Sequence, residues 1–174
     1  MRKLLIPFAI VIAILCMNKE EKLVMPKDLI RFRVIANSNS ESDQSIKKEV
    51  VKEIKPQISF LNTHSLSETR NTIQENMPLY NNIVSKSLQN TLYEDNYSID
   101  YGLHYFPKKE YKGITFEEGN YESLVITIGD GLGENFWCIL FPPLCNIDKD
   151  KTDYEYTSIV QEIVKKYNHN HKLK

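Results

Sequence analysis

Residues 30–36 alternate Ile30, Phe32, Val34 and Ala36 with Arg31, Arg33 and Ile35. That period of two predicts a half-buried strand, and Asn37-Ser38-Asn39 ends it. Ser40 is a good helix N-cap, and Asp43 three residues on makes the carboxylate variant of a capping box. Ile46, Val50, Ile54 and Ile58 then recur every four residues, one face of a helix. Pro56 is expected to kink or end it, because proline lacks the N–H that the ladder needs. A second helical pattern runs through Leu66, Arg70, Ile73, Met77, Tyr80, Val84 and Leu88, with Ser65 as cap and Glu68 three residues on. Pro78 predicts a break that leaves two helices.

Strand periodicity then returns. Tyr97, Ile99, Tyr101, Leu103 and Tyr105 alternate with Ser98, Asp100, Gly102 and His104. Leu124, Ile126 and Ile128 alternate with Ser123, Val125 and Thr127. Phe136 to Phe141 is apolar on both faces, as in a strand covered on two sides. The turn Gly129 to Gly133 is expected to pair these last two strands as a hairpin. Pro142 and Pro143 cannot donate to a ladder, so the chain leaves the sheet there. Tyr156, Ile159, Val160, Ile163, Val164 and Tyr167 describe a C-terminal amphipathic helix. Asp153 and Glu155 lie in its first turn and Lys165 and Lys166 in its last, as the helix dipole prefers. The order predicts an α+β fold: about four strands, mostly antiparallel, with helices packed on one face.

The N-terminus has a different pattern. Arg2 and Lys3 precede an uncharged apolar run from Leu4 to Met17, the form of an export signal. A spanning helix takes about 20 apolar residues, so this run is short for one. Residues 1–17 are therefore read as a signal peptide or signal anchor, with membrane association through residues 4–17. Residues 18–28 read as a polar linker, 29–168 as one domain and 169–174 as a polar tail. Outside the signal, Cys138 and Cys145 are an even pair in a space where disulfides persist. The Pro-Pro reversal can bring them together, and closing that loop contributes roughly 2.5 kcal/mol on the chain-entropy model. Two separate buried thiols are the alternative. Six residues separate them and no His lies nearby, which argues against zinc.

Charge narrows the functional classes. The formal net charge is −1, and removing Arg2 and Lys3 takes it to −3, which gives nucleic acid no electrostatic footing. Gly129-x-Gly131-x-Gly133 joins two strands rather than opening a helix, so a plain turn is preferred over a phosphate loop. Asn37, Ser38 and Asn39 precede a helix N-terminus, but without glycines simple capping is preferred. His64 falls between helices, His104 on the polar face of a strand, and His169 and His171 in the tail. Glu117 and Glu118 read as a solvated loop pair. No Ser sits in a G-x-S-x-G elbow, and Cys138 has no adjacent base. No cofactor, metal or catalytic residue is assigned, and the chain is not read as an enzyme.

Three runs carry a resemblance: RVIANSNSESDQSIKKEV at 33–50, FPKKEYKGITFEEGNYESLVITIGDGLGENFWC at 106–138, and ILFPPLC at 139–145. Together they resemble the stage II sporulation protein R family of endospore-forming Firmicutes, over about residues 30–145. Phe136 stands where that pattern usually has a second Trp, Ser123 where Ala is common, and Lys108-Lys109 where Thr-Arg is frequent. The resemblance implies export across the forespore membrane into the space between forespore and mother cell. It implies one partner, a membrane-embedded sporulation aspartic protease met at its extracytoplasmic face. Activation of that protease leads to cleavage of the sigma-E precursor in the mother cell. The alternative is an exported enzyme acting on cell wall or peptide. The expected partner surface joins Asn37, Ser38 and Asp43 to Trp137, Pro142 and Pro143, since the turn is polar beyond its capping needs and the proline pair is rigid.

Overall fold

The computed structural model describes residues 23–59, 63–93, 96–147 and 150–171; the expected signal at 1–17 lies outside them. In chain order the strands are β1 (Leu23–Val24), β2 (Ile30–Ile35), β3 (Tyr97–Phe106), β4 (Lys109–Tyr111), β5 (Ile114–Phe116), β6 (Gly119–Ile128) and β7 (Asn135–Phe141). The helices are α1 (Glu41–Ser59), α2 (Leu66–Glu75), α3 (Met77–Asn90) and α4 (Asp153–His171).

The helices follow the local rules. The Asp43 amide donates to Ser40 Oγ at 3.1 Å, which caps α1. Pro56 neither ends nor splits α1, which continues to Ser59. At α2, the Glu68 amide donates to Ser65 Oγ at 3.1 Å, and the His64 amide donates to Glu68 Oε2 at 2.8 Å. That is a variant of the capping box in which Glu68 reaches back to the amide just before the N-cap. Pro78 sits in the first turn of α3, where its missing N–H costs nothing, and so marks the break between two helices.

The fold is α+β, as the element pattern predicts. Its main sheet has the order β3-β6-β2-β7. The β3–β6 and β2–β7 pairs are antiparallel, and β6–β2 is parallel. The expected β6–β7 hairpin is absent. β2 lies between them, with Phe32 opposite Leu124 on one side and Cys138 on the other. The Gly129–Gly133 loop is therefore an arch over the end of β2. Placing β6 and β7 on either side of β2 pairs the backbone of this buried strand on both edges.

Two cores form. Ile30, Phe32, Val34, Leu124, Ile126 and Ile128 meet Val50, Ile54, Ile73, Tyr80 and Val84 of α1–α3 on one face. On the other face, Tyr121 and Ile139 pack with Phe106, Phe116, Val160 and Val164. This second cover comprises α4 and a smaller sheet of order β1-β5-β4. Residues 23–25, read from the sequence as linker, belong to it: β1 runs parallel to β5, and Met25 is buried. The second cover also buries Arg31 and half-buries Arg33 and Ile35, so β2 is covered on both faces rather than on one. A register shift between Ile30 and Arg31 leaves Leu140 as an extra residue on β7, so Leu140 and Phe141 both reach the helix-side core.

Candidate functional site

The side chains of Asn37, Ser38, Asn39 and Asp43 are engaged by groups of the molecule itself. Asp43 Oδ2 accepts from Ser38 Oγ at 2.5 Å and from Asn37 Nδ2 at 3.2 Å. These donors, Ser38 first, hold the Asp43 carboxyl below the usual Asp range. Asn37 Oδ1 accepts from the Asp130 amide at 2.9 Å, and Asn39 Oδ1 from the Glu134 amide at 2.6 Å. The Leu132 and Gly133 amides donate to the carbonyls of Asn37 and Ala36, both at 2.9 Å. Polar groups that look surplus in the sequence thus clamp the glycine arch to the end of β2. Lys47 adds to the clamp by donating to the Glu134 carbonyl at 2.8 Å, and burial pulls its ammonium below the usual Lys range.

The opposite end of β7 is braced differently. Cys138 and Cys145 form a disulfide, with Cα atoms 5.2 Å apart. Pro142 is buried, Pro143 half-buried, and the Phe141–Pro142 peptide is cis. The Leu144 amide returns to the Ile139 carbonyl at 3.1 Å, which closes the reversal. Asn135 begins β7 opposite Ile35, beside the Asn37 turn, while Phe141 ends it opposite Ile30. At roughly 3.3 Å per residue, Pro142 and Pro143 stand about 20 Å from Asn37, Ser38 and Asp43. The structure does not gather these six residues into one patch.

Trp137 lies between the two ends and is half-buried. Its ring meets Phe116 edge-on at 5.0 Å and Tyr111 at 6.0 Å, and Lys109 Nζ lies 5.2 Å from its centroid. It walls two cavities, of about 180 and 140 Å³. The smaller is lined also by Arg31 and Arg33. Sequence reasoning placed both arginines on a polar strand face. The signal that could have found them is the aromatic density of 105–121, where Tyr105, Phe106, Tyr111, Phe116 and Tyr121 need a surface to cover.

His104 carries one more constellation. Its Nδ1 lies 2.7 Å from Ser123 Oγ and its Nε2 2.9 Å from Asp100 Oδ2. Ser-His-Asp contacts of this kind can activate a nucleophile. Here Ser123 is wholly buried within β6, where no substrate carbonyl can reach it. The cluster instead ties β3 to β6. Glu117 and Glu118 pair with Lys108 and the Tyr105 hydroxyl. His64 contributes its amide to the α2 cap, and the side chains of His169 and His171 lie outside the described residues. Among the described residues no His/Cys/Asp/Glu group could hold a metal, and no helix is long and apolar enough to cross a membrane.

Fold and face together define a disulfide-braced α+β domain whose polar clusters hold its own strands and loops in place. A family model described as Stage II sporulation protein R matches residues 26–151. The chain is 32% identical over 133 residues to Stage II sporulation protein R of Bacillus subtilis (strain 168). That match covers 75% of this chain and 59% of the relative, so the chain spans less than two thirds of the relative's length. The chain belongs to the stage II sporulation protein R family. No solved structure matches it.

Proposed function

We propose that this chain is an exported sporulation signalling protein. It crosses the forespore membrane, acts in the space between forespore and mother cell, and activates a membrane-embedded aspartic protease from the extracytoplasmic side. Cleavage of the sigma-E precursor in the mother cell follows. The observation that carries this reading is the family match over residues 26–151. The Cys138–Cys145 bridge supports it, because disulfides persist outside the reducing cytosol.

An activator of this kind must bind the protease's active state more tightly than its inactive one, since equal affinity shifts nothing. Rigid surface favours that task, because little entropy is lost on docking. The arch clamp holds the start of β7 and the disulfide its middle, and together they hold Trp137 and its neighbours in place.

The alternative, an exported enzyme, makes Asp100 the useful test. Asp100 is exposed at its side chain and completes the His104 cluster. In cells expressing the protease, the precursor and this chain, Asp100→Asn is expected to support precursor cleavage at the unmodified level. A folded Asp100→Asn protein that fails to do so would favour the enzyme.

A further inference from the structure

The smaller cavity lies where β2 and β7 meet the β4–β5 hairpin, and its chemistry is unbalanced. Arg31 is only 2% exposed, yet its Nε and Nη2 have no hydrogen-bond partner, and neither does Arg33 Nε. Neither guanidinium is ion-paired with a described carboxylate. Arg33 Nη1 makes one long contact, 3.4 Å, to the Tyr105 carbonyl. Aromatic faces cover the cations instead: Arg31 sits 3.6 Å from the Tyr121 centroid and 4.8 Å from that of Phe106, and Arg33 sits 4.5 Å from Phe106. Lys109 on Trp137 brings a third positive charge to the same wall.

Ring stacking balances part of the charge, while Arg31 Nε and Nη2 and Arg33 Nε stay unbonded and sealed from solvent. A buried unbonded donor destabilises the fold, and more so when charged. Folded proteins keep such groups where something pairs with them. Three cations without a described carboxylate around one cleft favour an anion there, and a carboxylate is the side-chain or terminal anion that guanidinium pairs with best. The walls around it are aromatic, and about 140 Å³ holds a carboxylate with a short apolar stem.

We infer that this cleft is a recognition site for a peptide carboxylate attached to an apolar group. Arg33, the less buried guanidinium, takes an oxygen, Arg31 adds its charge from beneath the rings, Lys109 supplies longer-range attraction at the rim, and Phe106 and Trp137 hold the stem. The carboxylate comes either from a chain terminus or from an acidic side chain. The inference rests on the cleft alone and does not depend on the signalling reading.

Trp137 is the only tryptophan of the chain, so its fluorescence reports this wall directly. The full chain would be titrated with N-acetylphenylalanine as a terminal carboxylate, and with N-acetylglutamate amide as an acidic side chain. N-acetylphenylalanine amide and inorganic phosphate are the comparison probes. A saturable change with one or both carboxylates, absent with the amide and weaker with phosphate, is expected. The stronger carboxylate identifies the source. Arg33→Gln is expected to weaken that binding by about tenfold, the loss of one charge-assisted hydrogen bond. Lys109→Gln, at an exposed position, is expected to steepen the loss of affinity with salt less than the unmodified chain does. Arg31→Met tests the floor, and the two other variants serve if it fails to fold. No saturable response to either carboxylate, equal response to the amide, tighter binding of phosphate, or unchanged affinity in a folded Arg33→Gln protein would each overturn the assignment. A cleft that holds only water gives the first of these.

Discussion

Gly133 has room for a hydrogen and nothing larger. A Cβ there would lie 2.2 Å from the Ser38 carbonyl oxygen, and one on Gly129, at φ +56°, would lie 2.3 Å from Asn37 Oδ1. These glycines are conditions of close approach between arch and turn, not ligands for a phosphate. Glu122 shows the same self-directed use of polarity. Its carboxylate accepts Arg70 Nε at 2.6 Å and Nη2 at 2.9 Å, and also the Tyr101 hydroxyl. Arg70 first, then Tyr101, holds the Glu122 carboxyl below the usual Glu range, while burial and Glu122 push Tyr101 upward. A depressed folded value means that Glu122 stabilises the fold above the unfolded pKa near 4.3 and loses that contribution as pH falls through the folded value. Glu122→Gln is therefore expected to cost about 1–3 kcal/mol at pH 7. Thermal melts at stepwise lower pH should show the two proteins converging. A gap that stays constant from pH 7 down to the acid limit would remove Glu122 ionisation from the account.

At the scale of elements, β7 is the piece most dependent on covalent help. It is an edge strand, paired only with β2 and interrupted by the extra residue Leu140. The Cys138–Cys145 bridge fastens its middle to the loop beyond it, where Cys145 is buried against the helix-side core. Cys145→Ser is expected to lower stability by about 2–4 kcal/mol in denaturant unfolding, with the largest loss of amide protection in β7. Equal loss of protection in β3 and β6 would mean that the bridge acts on the whole domain. The helices, their caps, β3, β6, β7 and α4 were legible in sequence because each is written in local periodicity and capping chemistry. The order of the strands was not. A short glycine loop between β6 and β7 fits a hairpin equally well, and nothing near it says that β2 slides between them. β4 and β5 were missed because three-residue strands carry too little alternation to see.

For the whole molecule, the second cover decides the rest. β1, Met25, the β4–β5 hairpin and α4 turn the polar face of β2 into an interior, which a single-strand pattern cannot disclose. Arg31 and Arg33 read as solvated for that reason. Of the surface expected to bind a partner, the turn and Trp137 were placed on correct elements, but sequence alone could not show that the prolines stand at the far end. Because residues 23–25 complete the second cover, a chain beginning at Lys27 is expected to be about 2–4 kcal/mol less stable than one beginning at Asn18, the loss of a buried Met and a strand pairing. Equal midpoints in urea would return those residues to the role of linker.

The central claim, an exported signal, is met most directly by making export the only variable. Cells without their own sporulation programme would carry the protease, the sigma-E precursor and this chain, either complete or lacking residues 1–17, at matched levels. Precursor cleavage would be followed by immunoblot. Cleavage with the complete chain, and its absence with the form retained in the cytosol, is the predicted result. Equal cleavage from both forms, or none from either while a proven family member drives it, would contradict the account.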